Sequence, residues 1–187
     1  MTQTTTHTTD TTDIDAERAD HLEALAKHRG LFRGTVAGLT DDQARSTPTV
    51  SALSLGGLVK HLTSMERTWS AFLVDGPAPA PDVDWATVDW SNPPPAVVAF
   101  QDGFRMREDE TLVALLAAYD EATAATDALV RTVDLAARQP LPAAPWFEPG
   151  ATWSARRVLV HLVAETAQHA GHADIVRETI VGQKSVG

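Results

Sequence analysis

The sequence predicts an all-α fold, an up-down four-helix bundle with a long connection between its second and third long helices. Three observations carry this. Apolar residues recur at the three-to-four spacing of a helix face in four long segments. No segment alternates at period two over a convincing length, so strands are not expected. Two Pro-rich stretches separate the helical segments: 76–95, a long connection rich in Pro, Asp and Trp, and 138–150, whose four prolines exclude regular structure. At 187 residues and 43% apolar content, the chain is one domain's worth of globular protein, long enough to bury a full core.

Residues 1–14 form a Thr-rich tract with little to bury, read as a disordered tail; the bundle occupies 15–181, and 182–187 is a polar end that frays. The first helix runs from Asp15 to about Gly38 on Leu22, Leu25, Ala26, Phe32 and Val36. His21 and His28 on this helix read as solvated or half-buried. Thr40 or Asp41 caps a short new start. The second long helix, Ser54 to Val74, has Ser54 as N-cap and Leu58, Leu62, Met65, Trp69 and Phe72 as its stripe. His61 falls on the edge of that stripe, where a satisfied core histidine and a metal ligand are both open readings. Trp85 and Trp90, in the long connection, either cover a pocket or pack the loop. A helix start is expected over Pro95–Phe104, then a long helix from Arg107 to about Val133, with Asp120, Glu121 and Asp127 on its solvated face. Trp146 and Phe147 anchor the second Pro-rich loop. Thr152 or Ser154 caps the last helix, which ends near Ile180.

Composition excludes several functions. Fifteen Lys and Arg stand against 25 Asp and Glu, a net charge of −10. Such a chain is a poor partner for nucleic acid or for an anionic membrane surface. No apolar run approaches the ~20 residues of a membrane span, and the N-terminus lacks the pattern of a secretory signal, so a cytoplasmic location is expected. There is no cysteine, which removes disulfides, thiolate zinc sites and a cysteine nucleophile. Any metal is left to His, Asp or Glu, and any thiol chemistry needs an external thiol.

The chemistry concentrates in Val158–Glu178, VLVHLVAETAQHAGHADIVRE. His161, Glu165 and His169 are four apart and His172 follows three later, so all four share one side of a helix. Advancing about 100° per residue from Glu165, His169 falls inside the apolar face formed by Val158, Leu162, Ala173, Val176 and Ile180. Glu165 lies at its edge, and His172 and His161 lie progressively further out. His169 is therefore the most buried, Glu165 next, and His161 the weakest ligand candidate. A buried carboxylate beside a buried imidazole needs compensation; a divalent metal and a simple Glu–His ion pair both supply it.

The pairing of SLGGLVKHLTSMERTW with ETAQHAGHADIVRE, joined by the LTDDQARSTPTVSALSL connection, resembles the DinB/YfiT-like metalloprotein superfamily. More closely it is similar to the actinobacterial DUF664 and mycothiol-dependent maleylpyruvate isomerase-like branch, over about Asp15 to Glu178. The resemblance implies one ligand from the second long helix and two from the last, here His61, Glu165 and His169. It implies mostly zinc or nickel-like divalent ions, and mycothiol as cosubstrate; iron is suggested only by the two-His-one-carboxylate set. His172 is the catalytic candidate: it reads either as a group that orients a ligand or water, and in the hydrolytic alternative shuttles a proton, or as a helix-surface residue of the motif. Arg67, Arg156 and Arg157 are candidates for an anionic group of thiol or substrate.

Two histidines and one carboxylate leave a tetrahedral ion with an open position, the catalytic pattern. The expected function is a metal-dependent thiol S-transferase or thiol-dependent isomerase acting on an electrophilic small molecule. Metal-assisted hydrolysis at the same site, a non-catalytic metal-binding stress-response bundle and an Fe(II) site are the alternatives. A homodimer is compatible with the fold.

Overall fold

The computed structural model describes residues 11–79, 83, 87–142 and 147–184. Its long helices are α1 (Thr11–Val36), α3 (Leu55–Asp75), α5 (Leu112–Thr132) and α6 (Ala155–Val181), with short helices α2 (Asp41–Arg45) and α4 (Pro95–Asp102) between them. α1 packs along α6, α6 against α3, and α3 against α5, and α5 closes the ring on α1. This is the four-helix bundle expected. The tail expectation for residues 1–10, and the readings of Trp85 and Trp146, lie outside the described residues. α1 itself begins at Thr11, ahead of the expected Asp15. Trp90 is described, and it stands exposed.

The core has two apolar tiers. One gathers Phe32, Val36, Leu58, Tyr119, Ala173 and Val176. The other gathers Leu25, Phe72, Val130, Val158 and Leu159, and Leu62 belongs to both. Each buried Val, Leu or Phe among them contributes about 1.5–3 kcal/mol on full burial. Along the helices a polar layer separates the tiers. Arg29 donates from Nε and Nη2 to the two carboxylate oxygens of Glu66, at 2.8 and 2.9 Å, and from Nη1 to Asp127 at 2.7 Å. Thr126 donates to Glu66 as well, and its hydroxyl lies 2.8 Å from that of Ser70. Asp127 and Asp120 were expected on a solvated face; Asp127 instead closes this network, and Asp120 pairs with Arg33. α5 is tied to α1 through both.

Three features depart from expectation for local reasons. α5 starts at Leu112, not Arg107, because Thr111 Oγ1 accepts from Ala114 N and Asp41 Oδ1 accepts from Leu112 N at 2.7 Å. Residues 107–110 are turned back by Glu110, which accepts from Arg107 N and pairs with Lys60. Strands do occur, contrary to expectation: β1 (Arg138–Pro140) pairs antiparallel with β2 (Thr152–Ser154), with Gln139 opposite Trp153. Three residues are too few to show a period of two, and Pro140 at the end of an edge strand removes no needed donor. The ribbon ties the Pro-rich loop to the start of α6 and sets Trp153 just before its N-cap, Ser154.

The Gly56–Gly57 pair at the start of α3 fixes one further neighbour of the site. A Cβ on Gly57 would lie 2.1 Å from the Phe104 carbonyl oxygen, and one on Gly56 would lie 2.4 Å from Met106 Sδ. Only glycine lets residues 104–106 cross so close to the helix. That crossing lays Phe104 over His61, one turn further along.

Candidate metal centre

α3 brings His61, and α6 brings Glu165 and His169, to one point between them. One ligand atom from each lies within 4.8 Å of the other two. His169 Nε2 is 3.5 Å and His61 Nε2 is 3.9 Å from the same oxygen, Glu165 Oε2. The rings of His61 and His169 meet edge to face with centroids 4.7 Å apart. His61 is backed by Phe104, stacked on it at 4.6 Å. Side-chain exposures are 15% for each histidine and 24% for Glu165, so the cluster is half-sheltered with one open side.

The donor set fits a divalent ion. Bonds of about 2.1 Å in a tetrahedron require donor–donor edges of about 3.4 Å, close to the separations present. A simple ion pair fits less well. Both carboxylate–imidazole separations exceed the ~2.7–3.2 Å of a hydrogen bond, yet the donors converge. Burial pushes the pKa of His61 below its ordinary value, helped by neighbouring His169 and opposed by Glu165. Burial does the same for His169, with His172 adding to it. Both imidazoles are therefore held neutral, the form that ligates metal.

His172 Nδ1 lies 3.4 Å from His169 Nδ1. An Nδ1 engaged there leaves Nε2 of His169 to face Glu165, the arrangement that orients metal-bound histidines. His161 is outside the triad. Its Nε2 faces the other carboxylate oxygen, Glu165 Oε1, at 3.8 Å. Its ring stands edge-on to both Trp69 and Trp153, at 4.8 and 5.1 Å, and those two indoles stack on each other at 5.1 Å.

The arginines divide. Arg156 is committed to Glu17 on α1 and to the Leu135 carbonyl, so it does not face the triad. Arg157 lies over the Trp153 ring, 4.3 Å from its centroid. Arg67 is exposed on a ridge of α3 between two clefts. The smaller, of 360 Å³, is lined by Lys60, Ser64 and Glu110 among others. The larger, of 1090 Å³, reaches His161 and Glu165.

Sequence reasoning misses the aromatic setting. Trp153 lies eight residues before His161 and Trp69 eight after His61, but only the β1–β2 ribbon brings the two indoles together. Phe104 is equally invisible, since its place over His61 depends on the glycine crossing.

The fold and the triad together define a DinB/YfiT-like bundle. A crystal structure of a conserved protein from Enterococcus faecalis shares the fold with a TM-score of 0.62 at 17% identity, over 88% of this chain and 97% of that one. The family is narrower than the fold. The mycothiol-S-transferase family matches residues 20–182, and the chain belongs to that family. No curated protein matches it. Among the described residues no helix is long and apolar enough to cross a membrane.

Proposed function

We propose that this chain is a divalent-metal-dependent S-transferase that joins mycothiol, or a similar small thiol, to an electrophilic carbon. One observation supports this most: three neutral or anionic donors from two helices converge beside a large apolar cleft, in a chain whose family is that of the mycothiol S-transferases. His61, Glu165 and His169 would hold the ion, zinc being the best match to two imidazoles and one carboxylate, ahead of nickel and iron. A divalent ion there supplies an open position at which a thiol ionises near neutral pH. The chain's own residues do the rest. His172 keeps His169 in the ligating tautomer and takes the thiol's proton toward solvent. Arg67 and Arg157 offer cations to an anionic group of the thiol, whereas Arg156 is occupied by Glu17. In the transfer the S–H bond breaks, the sulfur–carbon bond forms, and the displaced electron pair leaves with the leaving group. Across a carbon–carbon double bond the pair moves to the adjacent carbon, which takes a proton.

The test is metal analysis of the purified chain beside His169→Ala, with mycothiol titrated calorimetrically into metal-loaded and metal-free protein. The reading requires stoichiometric metal lost in the variant, and thiol binding only with metal present. Negligible metal in both proteins, or thiol binding indifferent to metal, sinks it.

A further inference from the structure

The larger cleft has its own chemistry, distinct from the triad it adjoins. Its walls are apolar and rigid: Trp69, Phe72, Phe147 and Trp153, with Pro77 and Pro142. Among the described residues its charged lining is Arg67 and Asp75, with Glu165, the carboxylate of the triad, at one end. At 1090 Å³ it is slightly larger than the ~300–1000 Å³ typical of small-molecule sites. At one end it meets Glu165 and His161, and the far oxygen of Glu165 is the one facing His61 and His169.

We propose that this cleft seats the acceptor, and that the acceptor is an uncharged, ring-bearing apolar electrophile. A small dicarboxylic acid, the substrate type of a thiol-dependent isomerase, is disfavoured there. Such a dianion needs a cation for each carboxylate it buries, and with Glu165 committed to the triad the described walls offer it Arg67 alone, with Asp75 opposing. An apolar ring loses water against the two indoles and Phe147, and its reactive carbon is carried to the Glu165 end, beside the donors of the triad. The proposal rests on the transferase reading for its chemistry, but not for the binding itself.

The experiment uses the zinc-loaded full chain with mycothiol and three maleimides that share one reacting double bond: N-benzylmaleimide, maleimide and maleimidoacetic acid. In each, the thiol sulfur bonds to one alkene carbon and the neighbouring carbon takes the proton. Rates are corrected for the uncatalysed addition. N-benzylmaleimide should exceed maleimidoacetic acid in kcat/KM by about tenfold or more, what roughly 60 Å² of apolar burial supplies. Ala71, exposed on α3 and part of the lining, gives a variant that fills the cleft without touching the core. Ala71→Trp should erase the advantage of the benzyl compound and leave mycothiol binding unchanged. Unreactive N-benzylsuccinimide, followed by quenching of tryptophan fluorescence, reads the cleft without any transfer. Quenching by the succinimide that Ala71→Trp abolishes, with no thiol addition at all, upholds the cleft and defeats the transferase reading. Equal rates for the benzyl and acidic maleimides, or no quenching by the succinimide, overturns the proposal.

Discussion

His161 and the two histidines of the triad contact opposite oxygens of one carboxylate: His161 Nε2 faces Glu165 Oε1 at 3.8 Å, while His61 and His169 face Oε2. The His161 ring is packed edge-on against the stacked pair of Trp69 and Trp153. It therefore steers Glu165 toward presenting a single oxygen to an ion. His161→Ala should weaken metal binding by about 10–100-fold, the usual effect of losing a partner behind a ligand. His161→Phe keeps a ring against the two indoles and removes the nitrogens, so it should lose the same affinity with less loss of stability. Competition with a chromogenic chelator measures the affinity. Wild-type affinity in the Phe variant would show that Glu165 needs only the packing.

Stability of the metal-free chain should depend on pH through the same cluster. Burial is the leading reason that His61, His161 and His169 have pKa values below the ordinary 6.5. Below about pH 6.5 the unfolded chain takes up protons that the folded chain resists, so stability falls with falling pH until the folded-state values are passed. Above that window it is flat with respect to these groups. Thermal melting of chelator-treated protein from about pH 8 to pH 5 should show this slope, and His169→Gln should flatten it. A melting temperature that rises on acidification contradicts the burial argument.

The four long helices and the ligand-bearing face of α6 are legible in the sequence because each depends only on spacing along one helix. His61 sits on the edge of an apolar stripe, and its assignment needs the family resemblance. The buried layer around Arg29 escapes such a reading, although its register is visible. Arg29 follows Leu25 by four and precedes Phe32 by three, and Glu66 follows Leu62 by four, so both occupy stripe positions. A charged side chain reads as an exposed one, and pairing across helices overrides that. The β1–β2 ribbon and the Phe104 stack depend on contacts distant in sequence, which no local period encodes.

Gly57 tests whether backbone approach at α3 matters to the site. Gly57→Ala sets a methyl 2.1 Å from the Phe104 carbonyl oxygen and 2.9 Å from Ser54 Oγ. Backbone cannot yield cheaply, so a loss of about 1–3 kcal/mol is expected, with metal affinity falling as Phe104 moves off His61. Gly30 is the control. It lies on the exposed side of α1 with nothing within 4 Å of where a methyl would stand, and Gly30→Ala should stabilise by about 0.5–1 kcal/mol. Urea unfolding of both variants gives the contrast, and equal midpoints would remove the steric argument.

The Arg29–Glu66 pair makes the opposite kind of prediction, in which two disruptive changes are milder together than apart. Arg29 is 6% and Glu66 1% exposed, so loss of Arg29 strands the Glu66 carboxylate in the core with only the Thr126 hydroxyl, and loss of Glu66 leaves the buried Arg29 with Asp127 as its one acceptor. Arg29→Met or Glu66→Leu singly should cost about 3–5 kcal/mol. Made together they strand only Asp127, whose side chain is 36% exposed and reaches water, and Thr126 keeps its bonds to Ser70 and to the Ala122 carbonyl. The double variant should therefore be more stable than either single one, because apolar side chains of similar volume pack where the ions stood. The coupling energy from urea unfolding of the four proteins decides the matter. Additive losses would mean that the pair acts as two independent residues, and that the polar layer does not hold α1, α3 and α5 in register.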